Sequence, residues 1–259
     1  MRVLAAQCAM SLAMLAFAVL ALLIARAIPR PERRYAYAWA LTGCTFLATG
    51  LNSLFHDVFS IIGFLGGPTS RPWALVLWWH PVLNHSRTFA LTAFCVVLAL
   101  VLYRRTAVGA EPPPLRTAMA GVLGGMVLGG LVGWWEPDFT NFTHYSAVAV
   151  FDVLEMVAFM AVLAVGIASG GIDRALWLSL ALNGFILALS VLLFAAEAHL
   201  GVAGQWAPRP LHVQTLKAVL RCLMVAVALR HLLGVSRGRP VRGLLPDPRP
   251  FASTPSVHA

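Results

Sequence analysis

The chain contains seven long apolar runs, each able to cross about 30 Å of hydrocarbon at 1.5 Å per helical residue, near 8–27, 35–64, 74–103, 117–135, 145–168, 174–199 and 210–233. A backbone in lipid must satisfy its own N–H and C=O groups, so apolar runs of this length predict helices. The expected fold is therefore all-α, a polytopic bundle of seven transmembrane helices. The second and third runs exceed the required length, which predicts tilt or protrusion into an interface. Composition agrees, because 59% of the 259 residues are hydrophobic and only 11% are charged, against roughly 25% charged in a soluble domain.

The net charge of +9 would suggest nucleic acid in a soluble protein. Here the arginines sit in the short connections, and no nucleic-acid partner is expected. Thirteen cations, Arg26, Arg30, Arg33, Arg34, Arg104, Arg105, Arg116, Arg174, Arg230, Arg237, Arg239, Arg242 and Arg249, fall on one side, while Arg2, Arg71 and Arg209 fall on the other. A bias of 13 to 3 predicts an N-terminus outside and a cytoplasmic C-terminus, with an odd number of spans. The expected location is the cell membrane, multi-pass. A signal-peptide reading of the first run is disfavoured by its length and by the Arg-rich segment that cleavage would leave outside.

Residues 1–236 are expected to form the helical domain and 237–259, rich in Pro and Arg, a disordered basic cytoplasmic tail near anionic lipid. No output domain follows the seventh run in this sequence, which weighs against a self-contained signalling receptor. Cys8, Cys44, Cys95 and Cys222 lie in apolar runs without C-x-x-C spacing, so they read as packing residues. In the fourth run Gly121, Gly125, Gly129 and Gly133 recur every four residues. Such a face lets a second backbone approach closely, within the bundle or at a homodimer seam.

Ionisable groups inside a span cost several kcal/mol and commonly face a wet or protein-lined interior. By depth they gather in the outer half: His56 and Asp57 on the second run, His80, Asn84, His85 and Arg87 on the third, Asp152 and Glu155 on the fifth, Lys217 and Arg221 on the seventh. His144, Glu197, His199 and His212 lie closer to the mouth, so six of the eight histidines are on the outer side. Asn52 and His56, His80 and Asn84, and Lys217 and Arg221 are each four apart, and Asp152 and Glu155 three apart, so each pair shares a helix face. His85 stands about 140° from His80 on the wheel, which makes His80 the inward histidine and His85 the reserve.

Three chemistries fit this set. His56, His80 and Asp57, with a carboxylate from the fifth run, suit zinc, iron or copper with an open coordination position, although no H-x-x-x-H or H-E-x-x-H occurs. Two of the histidines, His85 with Asn84 beside it included, suit a haem. Alternatively, Asp152 and Glu155 pair with Lys217 and Arg221, and the histidines bind a ligand or move protons, or the charges merely tie helices together. The leading expectation is an intramembrane enzyme or redox protein with a metal site at His56, His80 and Asp57 and catalytic groups Asp152, Glu155, Lys217 and Arg221, acting on a lipid or other hydrophobic substrate. The alternative is a seven-helix ligand-binding sensor or transporter.

Overall fold

The computed structural model describes residues 2–67, 71–135, 142–199 and 211–244. Among them are seven α-helices: α1 Arg2–Ala27, α2 Arg33–Gly66, α3 Arg71–Val108, α4 Leu115–Trp135, α5 Phe142–Ser169, α6 Arg174–His199 and α7 Leu211–Ser236, with a short 3₁₀ turn at Arg30–Glu32. The helices follow the apolar runs closely. The extension at the end of α3 has a local cause: the helix runs on to Val108 until Gly109, at φ 66°, turns the chain out, and Pro112, Pro113 and Pro114 cannot resume it.

Five segments are long and apolar enough to cross a membrane: Ala5–Ala27, Trp78–Ala107, Leu115–Trp135, Arg174–Leu192 and Val213–Ser236. The protein is thus a membrane-spanning helical bundle. In α5 the described apolar stretch is Val153–Ser169, which is shorter. α2 is long enough, but its apolarity is diluted by a polar stripe. Thr42, Thr45, Thr49, Asn52, Ser53 and Asp57 are all buried. Their three- and four-residue spacing puts them on one face, so α2 is an amphipathic helix turned inside out. Hydroxyls on this stripe bond back one turn, Thr42 Oγ1 to the Ala38 carbonyl at 2.7 Å and Thr49 Oγ1 to the Thr45 carbonyl at 2.9 Å. That satisfies them without a neighbouring helix.

Helix neighbours define a ring. α1 packs on α2, α2 on α3, α3 on α5, α5 on α6, α6 on α7 and α7 on α1, while α4 lies outside the ring against α3 and, less extensively, α2. The glycine face of α4 is what seats it. A Cβ on Gly125 would stand 2.7 Å from Ala93 Cβ, one on Gly129 would stand 2.7 Å from the His85 carbonyl carbon, and one on Gly133 would meet Pro81 equally closely. Of the two uses expected for this glycine repeat, the structure shows packing within one chain. Only the opposite side of α4, with exposed Leu123, Val127, Leu128 and Leu131, is left for lipid or for a second copy.

Across the middle of the ring runs a layer of aromatic rings. Phe17 meets Phe46 with centroids 5.1 Å apart, Phe46 meets Phe94 at 6.3 Å, and Phe94 meets Phe159 at 6.4 Å. This layer joins α1, α2, α3 and α5. Trp78 and Trp134 stack edge to face at 4.3 Å at the end of the bundle away from most arginines, where amphipathic rings suit an interface.

At the arginine-rich end, the carboxylate of Asp173 is fully buried. Its Oδ1 accepts the Leu176 N–H at 2.8 Å, capping α6, and its Oδ2 accepts the indole N–H of Trp39. His231 Nε2 lies 3.6 Å from the same Oδ2, and its ring stacks on Trp39 at 5.5 Å. Residues 237–244, in the stretch whose composition predicts disorder, dock here. The Arg174 N–H donates to the Arg242 carbonyl at 3.0 Å and the Val241 N–H to Glu32 Oε2 at 3.0 Å. The Arg174 Nε–H donates to the Gly243 carbonyl at 3.0 Å, and Val241 is buried, so one apolar side chain and three hydrogen bonds hold a segment that composition alone reads as solvated.

Candidate functional site

The polar residues expected in one outer cup separate into two groups between different helices. The first joins α1, α2 and α3. His56 Nε2 faces His80 Nδ1 within hydrogen-bonding distance, the ring centroids 4.4 Å apart and tilted by 52°. On the other side of the His56 ring, Nδ1 lies 3.5 Å from Asp57 Oδ1. Asp57 Oδ2 accepts a hydrogen bond from the Ser11 hydroxyl at 2.5 Å. A chain of four side chains thus runs Ser11, Asp57, His56, His80.

Adjacent residues on a helix point about 100° apart, and Asp57 stands beside the His56 ring. Asp57 was expected as a metal ligand; its carboxylate faces Ser11 and His56 Nδ1, where it orients the imidazole as a carboxylate behind a metal-bound histidine does. Among the described residues no group of three or more His, Cys, Asp or Glu side chains is arranged to hold a metal ion. The pair therefore offers two nitrogens and no third protein ligand within that set. Its rings also stand too close for a flat macrocycle between them, which removes a haem ligated by both.

His56 is 20% exposed and Asp57 6%. Around the pair, Phe55, Val58, Ile62, Trp78 and Trp79 are exposed. The histidines therefore lie at a seam between α2 and α3 whose rim is apolar.

His85 and Asn84, expected at a cofactor, lie one turn further along α3 than His80. His85 is buried, its Nδ1–H donates to the Pro81 carbonyl at 2.9 Å, and its ring meets Phe151 of α5 edge to face at 5.4 Å. The hydrogen bond fixes Nε2 as the acceptor nitrogen. Pro81 has no N–H for the carbonyl one turn before it, while His85 adds a side-chain bond across the turn after it, so His85 braces the helix carrying His80. Asn84 Oδ1 accepts from the Arg87 guanidinium at 2.9 Å.

The second group joins α3, α5, α6 and α7. Glu155, Lys217 and Arg221 are all buried. Lys217 Nζ donates to Ser190 Oγ at 2.5 Å, and Ser190 donates to the Ile186 carbonyl at 3.2 Å. The Arg221 guanidinium lies over the Phe46 ring, 5.9 Å from its centroid, and reaches Met224 Sδ at 3.8 Å. It is within Coulombic range of both Arg87 and Glu155. His56 is ten residues along α2 from Phe46, roughly 15 Å by helical rise, so this group sits deeper than the histidine pair. The side chain of Asp152, expected beside Glu155, is outside what the structure describes, as are those of His144, Glu197, His199 and His212.

Sequence reasoning missed Ser11 and the Asp173 junction, and it expected Asn183 to bond across helices. Ser11 is a lone serine in an apolar helix, with no local pattern to mark it. Asn183 of α6 is fully buried with both amide atoms lacking a hydrogen-bond partner; its depth was legible and its isolation was not. The Asp173 junction had one signal, an Asp immediately before a predicted helix, which is an N-cap pattern. No known protein family, curated protein or solved structure matches this chain.

Proposed function

We propose that the chain is a membrane-embedded enzyme whose reaction centre is the Ser11, Asp57, His56, His80 relay, with the two imidazoles holding a transition metal ion and a lipid or other hydrophobic substrate arriving through the α2–α3 seam. The observation that carries this reading is the convergence of His56 Nε2 and His80 Nδ1, with Asp57 behind the other nitrogen of His56. A carboxylate beside Nδ1 favours the tautomer whose Nε2 lone pair points at the shared centre. Zinc, copper and iron all accept imidazole. Two protein nitrogens leave positions for water and substrate, the open coordination that metal-assisted hydrolysis or oxidation requires. The apolar rim supports a substrate that partitions into lipid. In this reading the chain crosses the membrane seven times with its N-terminus outside, supported by the arginine bias, and α2 crosses despite its polar stripe because that stripe faces protein.

The test is metal analysis of detergent-purified protein beside His56→Ala and His80→Ala. Close to one zinc, copper or iron per wild-type chain, falling at least tenfold in both variants, is the expected result for a site that loses one of two ligands. Wild-type metal content at the buffer level, after supplementation with each metal, sinks the metal reading and leaves the pair as an acid-base relay.

The second group favours a different reading, a ligand-binding sensor or transporter. Its specific observation is that Glu155, Lys217 and Arg221 are buried together between helices. Buried cations and a hydroxyl at Ser190 suit a small carboxylate. That reading expects small carboxylates to raise the melting temperature of the wild type and not of Arg221→Gln; equal shifts in both, or none in either, argue against it.

A further inference from the structure

α6 and α7 meet along a line of polar side chains. Gln214, Lys217, Arg221, Met224, Ala228 and His231 recur at steps of three and four residues, which puts them on one face of α7. The first five are buried and His231 is half-buried. On α6 the buried polar residues Ser179, Asn183 and Ser190 share a face in the same way. Two contacts fix the register of this antiparallel pair. Lys217 Nζ donates to Ser190 Oγ at 2.5 Å, and at the arginine-rich end His231 Nε2 lies 3.6 Å from Asp173 Oδ2. Counting between them, Asn183 falls level with Arg221 and Met224, and Ser179 falls between Met224 and Ala228. α6 therefore supplies polar groups along the one stretch where the α7 face is apolar.

Each end of the line brings acid and base together. Toward the far end, Glu155 of α5 and Arg87 of α3 lie within Coulombic range of Arg221. At the arginine-rich end the buried Asp173 faces His231, whose ring stacks on Trp39. Close by, Glu32 accepts the Val241 N–H, Arg174 donates to the Gly243 carbonyl, and Arg26 of α1 and Arg230 of α7 are exposed. Between the ends stands Asn183, fully buried, with neither amide atom hydrogen-bonded among the described residues. Buried polar atoms are nearly always paired, with protein or with ordered water, and an amide both donates and accepts. The Ser179 and Ser190 hydroxyls donate back to the Ala175 and Ile186 carbonyls at 2.9 and 3.2 Å, which leaves their oxygens as acceptors in the seam.

We propose that the α6–α7 seam conducts protons through the bundle, with Asn183 and Ser179 holding the water that links its two ends. A proton entering past Gln214 is taken up by the Glu155 carboxylate and passes through hydrogen-bonded water at Asn183 and Ser179 to His231 Nε2. The imidazolium formed beside Asp173 gives its proton to water at the arginine-rich end, and each carrier returns to its starting charge. Chains of carboxylates and imidazoles inside a bundle are suited to this relay. A larger ion is opposed in two ways: Ser179 and Asn183 are fully buried, and fixed charges of both signs stand along the path. Polar contacts that only hold helices together would use the same residues, so flux is the property that decides.

The full chain is reconstituted into liposomes that enclose a pH-sensitive dye, and a potassium gradient with valinomycin sets the driving potential. Wild type should change the internal pH faster than protein-free liposomes do. Asn183→Leu should slow this flux about tenfold or more, as a barrier raised by one lost hydrogen-bonded link does. Its melting temperature should hold or rise, because two unpaired buried polar atoms are gone. His231→Phe, which keeps a ring against Trp39, should slow the flux by a similar factor. Thr106 lies on α3 away from the seam, and Thr106→Val should leave the flux unchanged. None of these substitutions touches the His56–His80 pair, so proton flux and metal content succeed or fail independently. Wild-type flux no greater than that of protein-free liposomes overturns the proposal. So does undiminished flux in Asn183→Leu; with a lower melting temperature, that result would make the seam a helix contact alone. Should Asn183→Leu fail to fold, His231→Phe decides, and undiminished flux there overturns the proposal as well.

Discussion

Gly129→Val is expected to lower the melting temperature of the detergent-solubilised protein by roughly 6–12 °C, from a destabilisation of about 3 kcal/mol at about 2–4 °C per kcal/mol. A Cβ at this position would stand 2.7 Å from the His85 carbonyl carbon and 2.8 Å from Phe89 Cβ. Backbone cannot rotate away as a side-chain tip can, so α4 has to retreat along its whole contact with α3. Gly124 is the control, because a Cβ there meets nothing within 4 Å. Gly124→Val should change the melting temperature by no more than a few degrees, and helix propensity even favours it slightly. Equal effects of the two substitutions would mean that α4 does not seat on α3 through its glycines.

The same experiment bears on the reaction centre. His85 and Pro81 lie directly under Gly129 and Gly133, within about one and a half turns of His80. A displaced α4 releases the braced turn of α3, and metal content should fall with the melting temperature in Gly129→Val. If stability falls while metal content holds, the histidine pair is positioned by α2 and α3 without help from α4.

Asp173→Ala is expected to cost about 2–4 kcal/mol. The α6 cap contributes about 1 kcal/mol, and leaving the buried Trp39 indole N–H without an acceptor costs about 1–3 kcal/mol. At about 2–4 °C per kcal/mol the melting temperature should fall by roughly 4–16 °C. Asp173→Asn keeps an oxygen for the Leu176 N–H and should lose less. A double-mutant cycle separates the two contributions, since Trp39→Phe deletes the donor that Asp173→Ala orphans. The double variant should be less destabilised than the sum of the singles. Strict additivity would show that the indole bond carries no weight and that capping accounts for the whole loss.

How much of this was legible in the sequence differs from residue to residue. The helices were, because length and apolarity are properties of contiguous chain and lipid tolerates few other structures. Which of the two α3 histidines turns inward was not: His80, expected inward, is half-buried at the α2–α3 seam, and His85, held in reserve, is the buried one, because a helical wheel separates the two without saying where the neighbouring helices lie. Asp57 illustrates the limit. Its depth pointed to a site, but whether it ligates or orients depends on which way one carboxylate turns, and Ser11, 46 residues away, decides that. Glu155, Lys217 and Arg221 show the same limit at larger scale. Position along each run placed them with the histidines, whereas helix neighbours place them with α3, α5 and α6, because position along a run says nothing about which helices touch.

The fourth helix marks the boundary most clearly. Its glycine repeat fixed that some backbone must come close, and the sequence could not say whose. Tertiary structure chose α3 and put α4 outside the ring, leaving six helices around the polar groups. By itself the sequence determined an all-helical chain, where its apolar runs fall, which end carries the arginines and which residues are too polar to face lipid. Those are local quantities, summed along a backbone. Only the tertiary structure decided that His56 meets His80, that the acid-base group is a separate and deeper one, and that Asp173 joins α2, α6 and α7, because each depends on the order and rotation of helices that the chain brings together from far apart.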